Sequence, residues 1–344
     1  MKKYILLLII PFFFVQSKAQ NTTLLESYKD SILHYSSELI YKTNSDNRKQ
    51  ELSDKLSNYI LRFAKQENSI DFDLSSLKIV KVITSDDKKL RLFTWVVPFS
   101  DKAFVYKGIA QSYNSSKKQY GSSKLIDQTD KLGYSVQNKT LNIKRWYGSY
   151  YYKIITTKRG KKTFYTVIGW KGISKTIQSK VIEIITLRNN GGITFGYNLF
   201  SIKGYEYFAK NRRSSKRLVF KFSSQSNMYI DYDYQTIIIK TKKGKKNNSS
   251  RSSQSGFSAQ SGNKKEKVKI KTIKDNMIVL DRLVPTSPQM LEFYDFYYPE
   301  SNIFDALRWE NNVWKYYPDI DARNKEPEEK KNNRKIQYDL IPKQ

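Results

Sequence analysis

The apolar positions of this chain follow two periods, with a change near residue 70. Leu25, Tyr28, Ile32, Tyr35 and Leu39 recur at spacings of three and four, and Leu52, Leu56, Tyr59, Ile60 and Phe63 continue the rhythm. Such stripes place apolar side chains on one helix face, so they predict two amphipathic helices, the second capped by Ser45 or Asp46. Beyond Ile70 the period falls towards two. Residues 77–84, 90–97 and 103–111 read as strands, with the turn Ser85-Asp86-Asp87-Lys88 between the first two. Residues 113–139 are polar with scattered Gly and Ser and read mostly as loop.

Residues 146–200 hold the densest strand signal, four short runs separated by turn residues. Lys158-Arg159-Gly160-Lys161 ends the first run, and Asn190-Gly191 joins the third to the fourth. An Asn-Gly pair between apolar runs signals a hairpin, because both residues tolerate the positive φ of a type I′ turn. One parity of the second run carries Phe164, Ile168 and Trp170, and the other carries Tyr165 and Val167, which suits a sheet covered on both faces. Residues 217–222 and 228–234 follow. In the latter Met228, Ile230, Tyr232 and Tyr234 alternate with Tyr229, Asp231 and Asp233, a strand with one wet face. Closing strands are predicted at 277–284, 291–298, 304–309 and 313–317, with a tight turn at Glu310-Asn311-Asn312-Val313. The pattern predicts a mainly β fold with an N-terminal helical hairpin. An antiparallel meander, propeller-like or a bent multi-sheet arrangement, is expected, with a β-sandwich as the alternative.

The first residues change the expected address of the protein. Met1-Lys2-Lys3, an apolar run from Tyr4 to Val15, and Ser17-Lys18-Ala19 have the layout of a cleaved export signal. The run falls short of the roughly 20 residues of a spanning helix. Four segments are therefore expected: a signal at 1–19, a helical hairpin at 20–68, a β domain at 69–323 and a polar tail at 324–344. An exported periplasmic or secreted protein is the reading, with peripheral attachment to the outer membrane an open option. There is no cysteine, which removes disulfides, thiolate metal sites, cysteine nucleophiles and lipid attachment through cysteine. The formal charge is +30, or +27 once Lys2, Lys3 and Lys18 leave with the signal. Residues 240–271 hold eleven Lys/Arg and one Glu in a low-complexity Lys/Ser/Asn/Gly run, expected to be disordered between two extended arms. Outside the cell membrane such charge points to anionic lipid or acidic polysaccharide rather than nucleic acid, although a Lys-rich composition also yields basic surfaces with no specific partner.

The series FTW, WYGSYYYKI, FYTVIGWKG with KVIEIITL, RLVFKFSSQSNMYIDYD, MIVLDRLVP, FYDFYYPES, FDALRWENNVW and DIDARN spans residues 77–324. It resembles an uncharacterised family of exported proteins from Bacteroidota-type bacteria. The resemblance implies an exported β protein and carries no established activity, substrate or catalytic residue. The chain departs from that family at 240–271, which reads as an insertion in a hairpin and not as the shared function.

The candidate chemistry is sparse. His34, the single histidine, sits in the first helical stripe and reads as a surface residue, so Ser-His-Asp, Cys-His and multi-His zinc chemistry are set aside. Asp231 and Asp233 share a strand face about 7 Å apart, within the roughly 5 to 10 Å that paired carboxylates span across a sugar. Any strand with a solvated face produces the same spacing. Asp281, Asp295, Asp305, Asp319 and Asp321 fall near strand ends. Asp319 and Asp321 with Asn324 offer oxygens of the kind Ca²⁺ prefers, without the glycine-containing loop of an EF-hand. Trp95 and Trp170 read as core, whereas Trp309 and Trp314 flank a turn and are expected to pair across it. No Gly-rich phosphate loop or nucleophile elbow is present, and no catalytic, cofactor or metal residue is assigned. The expectation is a non-enzymatic envelope protein binding a glycan, a lipid or a protein partner through loops on a rigid β scaffold. The contrary readings are a glycan hydrolase using paired carboxylates and electrostatic attachment through 240–271.

Overall fold

The computed structural model describes residues 5–100, 104–211, 215–242 and 268–320. Helices α1 (Ile5–Tyr41) and α2 (Asp46–Ala64) form the expected N-terminal pair. α1 begins within the stretch read as an export signal; residues 1–4 of that signal lie outside the described residues. Of the two proposed caps Ser45 takes the role, its hydroxyl accepting from the Arg48 N–H, while Asp46 occupies the first turn and binds Ser100. The predicted stripes are the buried ones: Leu25, Ile32 and Leu39 meet Leu52, Leu56, Ile60 and Phe63, and Tyr35 stacks on Tyr59 at 5.1 Å. No helix among the described residues is long and apolar enough to cross a membrane.

Strands β1 (Lys81–Thr84), β2 (Leu90–Val97), β3 (Val105–Asn114) and β4 (Gln119–Leu125) form an antiparallel sheet in chain order. β4 falls in the stretch expected to be loop. Its sequence, QYGSSKL, lacks alternation because it is an edge strand held by backbone pairing to β3 and by the Tyr113–Tyr120 ring contact at 5.2 Å.

The central sheet follows, with β5 (Leu141–Asn142), β6 (Tyr150–Arg159), β7 (Lys162–Gly172), β8 (Ile177–Leu187) and β9 (Ile193–Phe195). The β6–β7 turn falls at Lys158-Arg159-Gly160-Lys161 as expected, with Gly160 at positive φ. The β8–β9 turn differs from the type I′ expectation. Gly191 alone has positive φ, 79°, and the loop closes through Gly191 N–H to the Arg188 carbonyl and Arg188 N–H to the Gly192 carbonyl. That is the three-residue hairpin, in which glycine alone needs the left-handed conformation.

After β10 (Phe200–Ser201), β11 (Arg217–Ser223) pairs with β8 beside β9. β12 (Ile230–Lys242), β13 (Val268–Pro285), β14 (Tyr297–Glu310) and β15 (Val313–Ile320) complete a third sheet ordered β10-β15-β14-β13-β12, antiparallel except for β10–β15. The β14–β15 turn is the tight one predicted, with Asn311 and Asn312 at φ 51° and 65°. Residues 291–296, read as strand, instead form a loop with 3₁₀ turns at Pro288–Met290 and Tyr294–Phe296. Glu292 at φ 78° interrupts any strand there.

Four layers result. The helices pack on one face of the first sheet through Phe93, Trp95 and Ile109. The other face of that sheet meets the central sheet through Leu92, Tyr151, Val167 and Val181. The opposite face of the central sheet meets the third sheet through Phe164, Ile182, Phe220, Ile278 and Leu307. The two-sided apolar pattern of β7 has its physical cause in this placement, except that Trp170 packs edge-on to Phe104, on the side of the first sheet. The fold is thus a mainly β, multi-sheet arrangement with an N-terminal helical pair, and none of its sheets is closed.

Candidate functional site

The carboxylates singled out by spacing are already engaged. Asp231 pairs with Lys153 across to β6 at 3.0 Å, and Asp233 accepts from the Tyr229 hydroxyl at 2.5 Å. Asp281 accepts the backbone N–H of Tyr229 at 2.7 Å. Asp305 is wholly buried and ties three elements together. It accepts from Arg282 at 2.5 Å, from the Tyr316 hydroxyl at 3.0 Å and from the Asp319 N–H at 3.0 Å. Asp319 therefore contributes its backbone to a structural knot, while Asp321 and Asn324 lie outside the described residues. Asp295 sits in the loop before β14. No group of three or more His, Asp or Glu side chains among the described residues is arranged to hold a metal ion. His34 is an exposed residue of α1, 3.8 Å from Glu38.

Two shallow clefts are lined by acidic residues, but neither contains the paired carboxylates. One, between residues 70–75 and the β1–β2 turn, includes Asp71, Asp73, Asp86 and Arg91; the other lies along α1 at Glu26, Asp30 and His34. Arg91 donates to the carbonyls of Ser69 and Ile70 and to Thr84, and burial lowers its pKa to about 10. It stitches the helix–sheet linker to β2.

The tryptophans are mostly interior. Trp95, Trp146 and Trp314 are fully buried. Trp309 and Trp314 do pair across the hairpin, at 5.4 Å between ring centres. Trp314 nevertheless points inward, with its indole N–H on Thr166 of β7 at 2.9 Å, so the pair is no exposed stacking platform.

Comparison with models of known protein families, with curated proteins and with solved structures finds no match. The arrangement has to be read from its own chemistry.

Four buried charged side chains were missed from sequence. Glu183 and Arg217 face each other across β8 and β11, both with fully buried side chains, and Arg217 Nε donates to Glu183 Oε1 at 2.5 Å. Tyr151 donates to the other carboxylate oxygen at 2.6 Å and receives the Trp146 N–H at 3.0 Å. Arg217 Nη1 also donates to the carbonyls of Val136 and Lys139, whereas Nη2 lies near Glu183 Oε1 without the alignment to donate. Lys171 places its amine on the Gly148 carbonyl at 2.6 Å and on the Thr129 hydroxyl at 2.9 Å, with the Tyr106 and Tyr147 rings 4.1 and 4.7 Å away. Lys180 lies 4.9 Å from the Tyr152 ring, near Asp281 and Asp231. The available signal was a single charge inside an apolar run, as in KVIEIITL. Where both sheet faces are covered, such a charge must find a partner.

Burial pushes both lysines down to about 8, with the nearby aspartates opposing the shift only in part. A lysine whose folded pKa lies below its unfolded value of 10.5 binds fewer protons when folded than when unfolded between those pH values. Stability therefore rises with pH across that window. From pH 8 to 9 each lysine should add about 1 kcal/mol. Above about pH 9.5 the buried tyrosines, whose pKa burial raises, should reverse the trend as their unfolded forms ionise. Urea unfolding at pH 7, 8 and 9 tests this: Lys171→Met should remove about half of the rise, and a flat or falling profile in the parent chain would refute it.

Proposed function

We propose that this chain is a non-catalytic, exported envelope protein that holds a basic β ribbon out from a rigid layered scaffold to bind an anionic surface. The observation that carries the reading is the pairing of β12 and β13. β13 pairs with β14 only from Met277 onwards, whereas its ladder with β12 continues for nine more pairs, from Tyr234↔Asn276 to Lys242↔Val268. The two strands run on, paired only to each other, for about 30 Å. The expected extended arms of 240–271 are thus paired strands as far as Lys242 and Val268, and residues 243–267 lie outside the described residues. At its base Ile237 is buried against Met277 and Val279 with Ile273 alongside, and beyond them the ladder runs on through Lys240, Lys242, Lys269 and Lys271. Its reach and charge suit contact with phosphate or carboxylate groups of a surface. Export and kinship with the Bacteroidota-type exported family belong to this same proposal, supported by the pattern of residues 1–19 and the segments of 77–324.

The test uses the full chain and a variant in which residues 240–270 are replaced by Asn-Gly, since Ile239 and Lys271 are cross-strand partners. Binding to vesicles containing phosphatidylglycerol and to an acidic polysaccharide is measured from about 0.01 to about 1 M salt, over which the screening length falls from about 30 Å to about 3 Å. The parent should bind at low salt and release at high salt. The shortened variant should unfold at the same urea concentration yet lose the binding. Retention of binding by that variant, or by the parent at the highest salt, would sink the proposal.

A further inference from the structure

The third sheet is the last of the four layers, so its outer face should be wet and polar. Part of it is neither. Ile237 of β12, Met277 and Val279 of β13, Ala306 of β14 and Ile320 of β15 form an apolar cluster of their own, and Met277 and Ala306 are 0 % exposed. Along β13 Met277 and Val279 alternate with Ile278 and Leu280, which face the central sheet, so the cluster lies on the other side. The apolar side chains packed against it are Tyr229, Ile273, Phe304 and Tyr317, all from the third sheet or the residue that leads into it. Among the described residues, no helix and neither of the other sheets contributes one.

A second observation lies on the same face. Gln235 stands between Asp233 and Ile237 in the alternation of β12 and is 6 % exposed, and its side-chain Oε1 has no hydrogen-bond partner among the described residues. A buried acceptor in that state calls for an N–H brought over the face.

The chain itself supplies a fitting cover. β15 ends at Ile320, inside the cluster, and residues 321–344 follow. In Ile336-Gln337-Tyr338-Asp339-Leu340 apolar and polar residues alternate, so an extended segment presents Ile336, Tyr338 and Leu340 on one side and has backbone N–H groups to offer. Residues 321–335 can span up to about 50 Å, whereas β12 lies three strand spacings, about 15 Å, from β15. Charge matches as well. Asp233, Asp275, Asp281 and Glu310 share the face with Arg308 and Lys315, an acidic excess in a chain of net charge +30. Lys330, Lys331, Arg334 and Lys335 lead into Ile336 with no acidic residue among 330–335. The other long stretch, 243–267, has Phe257 as its only large apolar residue.

We infer that residues 336–340 lie extended over the outer face of the third sheet, a strap that closes this end of the layered stack and covers apolar surface otherwise open to association. The inference goes beyond the surface-binding function and does not rest on it.

The chain has no cysteine, so one introduced thiol reports on one position. Met277→Cys places it on the outer face and Ile278→Cys on the inner face of the same strand. In the otherwise unchanged full chain, alkylation by iodoacetamide under native conditions should be slow at both. Adding Ile336→Ser, Tyr338→Ser and Leu340→Ser should speed alkylation of Met277→Cys about tenfold or more and leave Ile278→Cys protected. Rapid reaction of Met277→Cys without the three serines would overturn the inference. So would equal protection with them, which would mean that the sheet's own side chains shelter the face. Loss of protection at both positions would also overturn it, because the segment would then hold the whole fold. Protection lost on dilution would assign the cover to a second copy, and protection lost on replacing 240–270 by Asn-Gly would assign it to the insertion; either result overturns it equally.

Discussion

Glu183→Leu should lower the unfolding free energy by about 3–5 kcal/mol, the cost of stranding one member of a buried ion pair. The guanidinium of Arg217 would remain at 0 % exposure with two backbone carbonyls and no counter-charge. It cannot escape by losing its proton, because arginine stays protonated throughout the accessible pH range. The reverse change, Arg217→Met, should cost less, since an isolated buried carboxylate can neutralise itself by binding a proton and keep its bond to Tyr151. The double variant should recover part of the loss, with the Val136 and Lys139 carbonyls left short of a donor. Room for the guanidinium depends on Gly196, whose φ is 88° and where an added Cβ would come 2.9 Å from Arg217 Nη2 and 2.7 Å from the Lys139 carbonyl. Urea unfolding of the three variants forms the cycle. A Glu183→Leu protein within 1 kcal/mol of the parent would show that the pair is not held as described.

The parts of this fold legible in the sequence are those where period and turn chemistry agree. Leu52, Leu56, Ile60 and Phe63 state a helix face, and β7 states a sheet covered on both sides, because each apolar side chain there has a layer to meet. The Asn311-Asn312 turn was legible because two consecutive residues had to accept positive φ. β4 was not, since an edge strand is specified by its neighbour's backbone and by nothing periodic of its own. The loop at 286–296 misled for the opposite reason: LEFYDFYY has strand-like composition, but Leu291, Phe293 and Phe296 are exposed and only Tyr297 and Tyr298 pair as strand. Among candidate site residues, Asp231 and Asp233 were placed on one face correctly. Their engagement with Lys153 and Tyr229 depends on tertiary contacts that no local spacing encodes.

Charge follows the same division. The surface excess is visible in composition, whereas the interior charges are few and locally disguised. Glu183, Arg217, Lys171 and Lys180 all lie on the central sheet, which is covered by the first sheet on one face and by the third sheet on the other. A polar group there has no route to bulk water and must be satisfied by adjacent strands and connecting segments. Tyr151, Gly148 and Thr129 do this from outside the strands that carry the charges. These contacts therefore tie β7, β8 and β11 to β6 and to the segment 129–148, in addition to the apolar contacts that hold the layers together.

Trp314→Ala should be about as damaging as the loss of Glu183, costing about 3–5 kcal/mol, whereas Trp309→Ala should cost clearly less. The two residues are partners across one turn and look equivalent in sequence. Trp314 is wholly buried between the central and third sheets, edge-on to Tyr232 at 6.2 Å and to Trp309 at 5.4 Å. Its removal leaves a cavity that two rigid sheets cannot collapse to fill, and it leaves the buried Thr166 hydroxyl without the indole N–H. Trp309 is only partly buried, so solvent takes up part of the space it vacates. Trp314→Phe separates the two costs, keeping most of the volume while losing the N–H; it should cost about 1–2 kcal/mol. Denaturant unfolding of the three variants decides the matter. Equal losses for Trp309→Ala and Trp314→Ala would mean that the hairpin, and not the sheet-to-sheet interface, carries the energy, and the layered packing described for the third sheet would have to be abandoned.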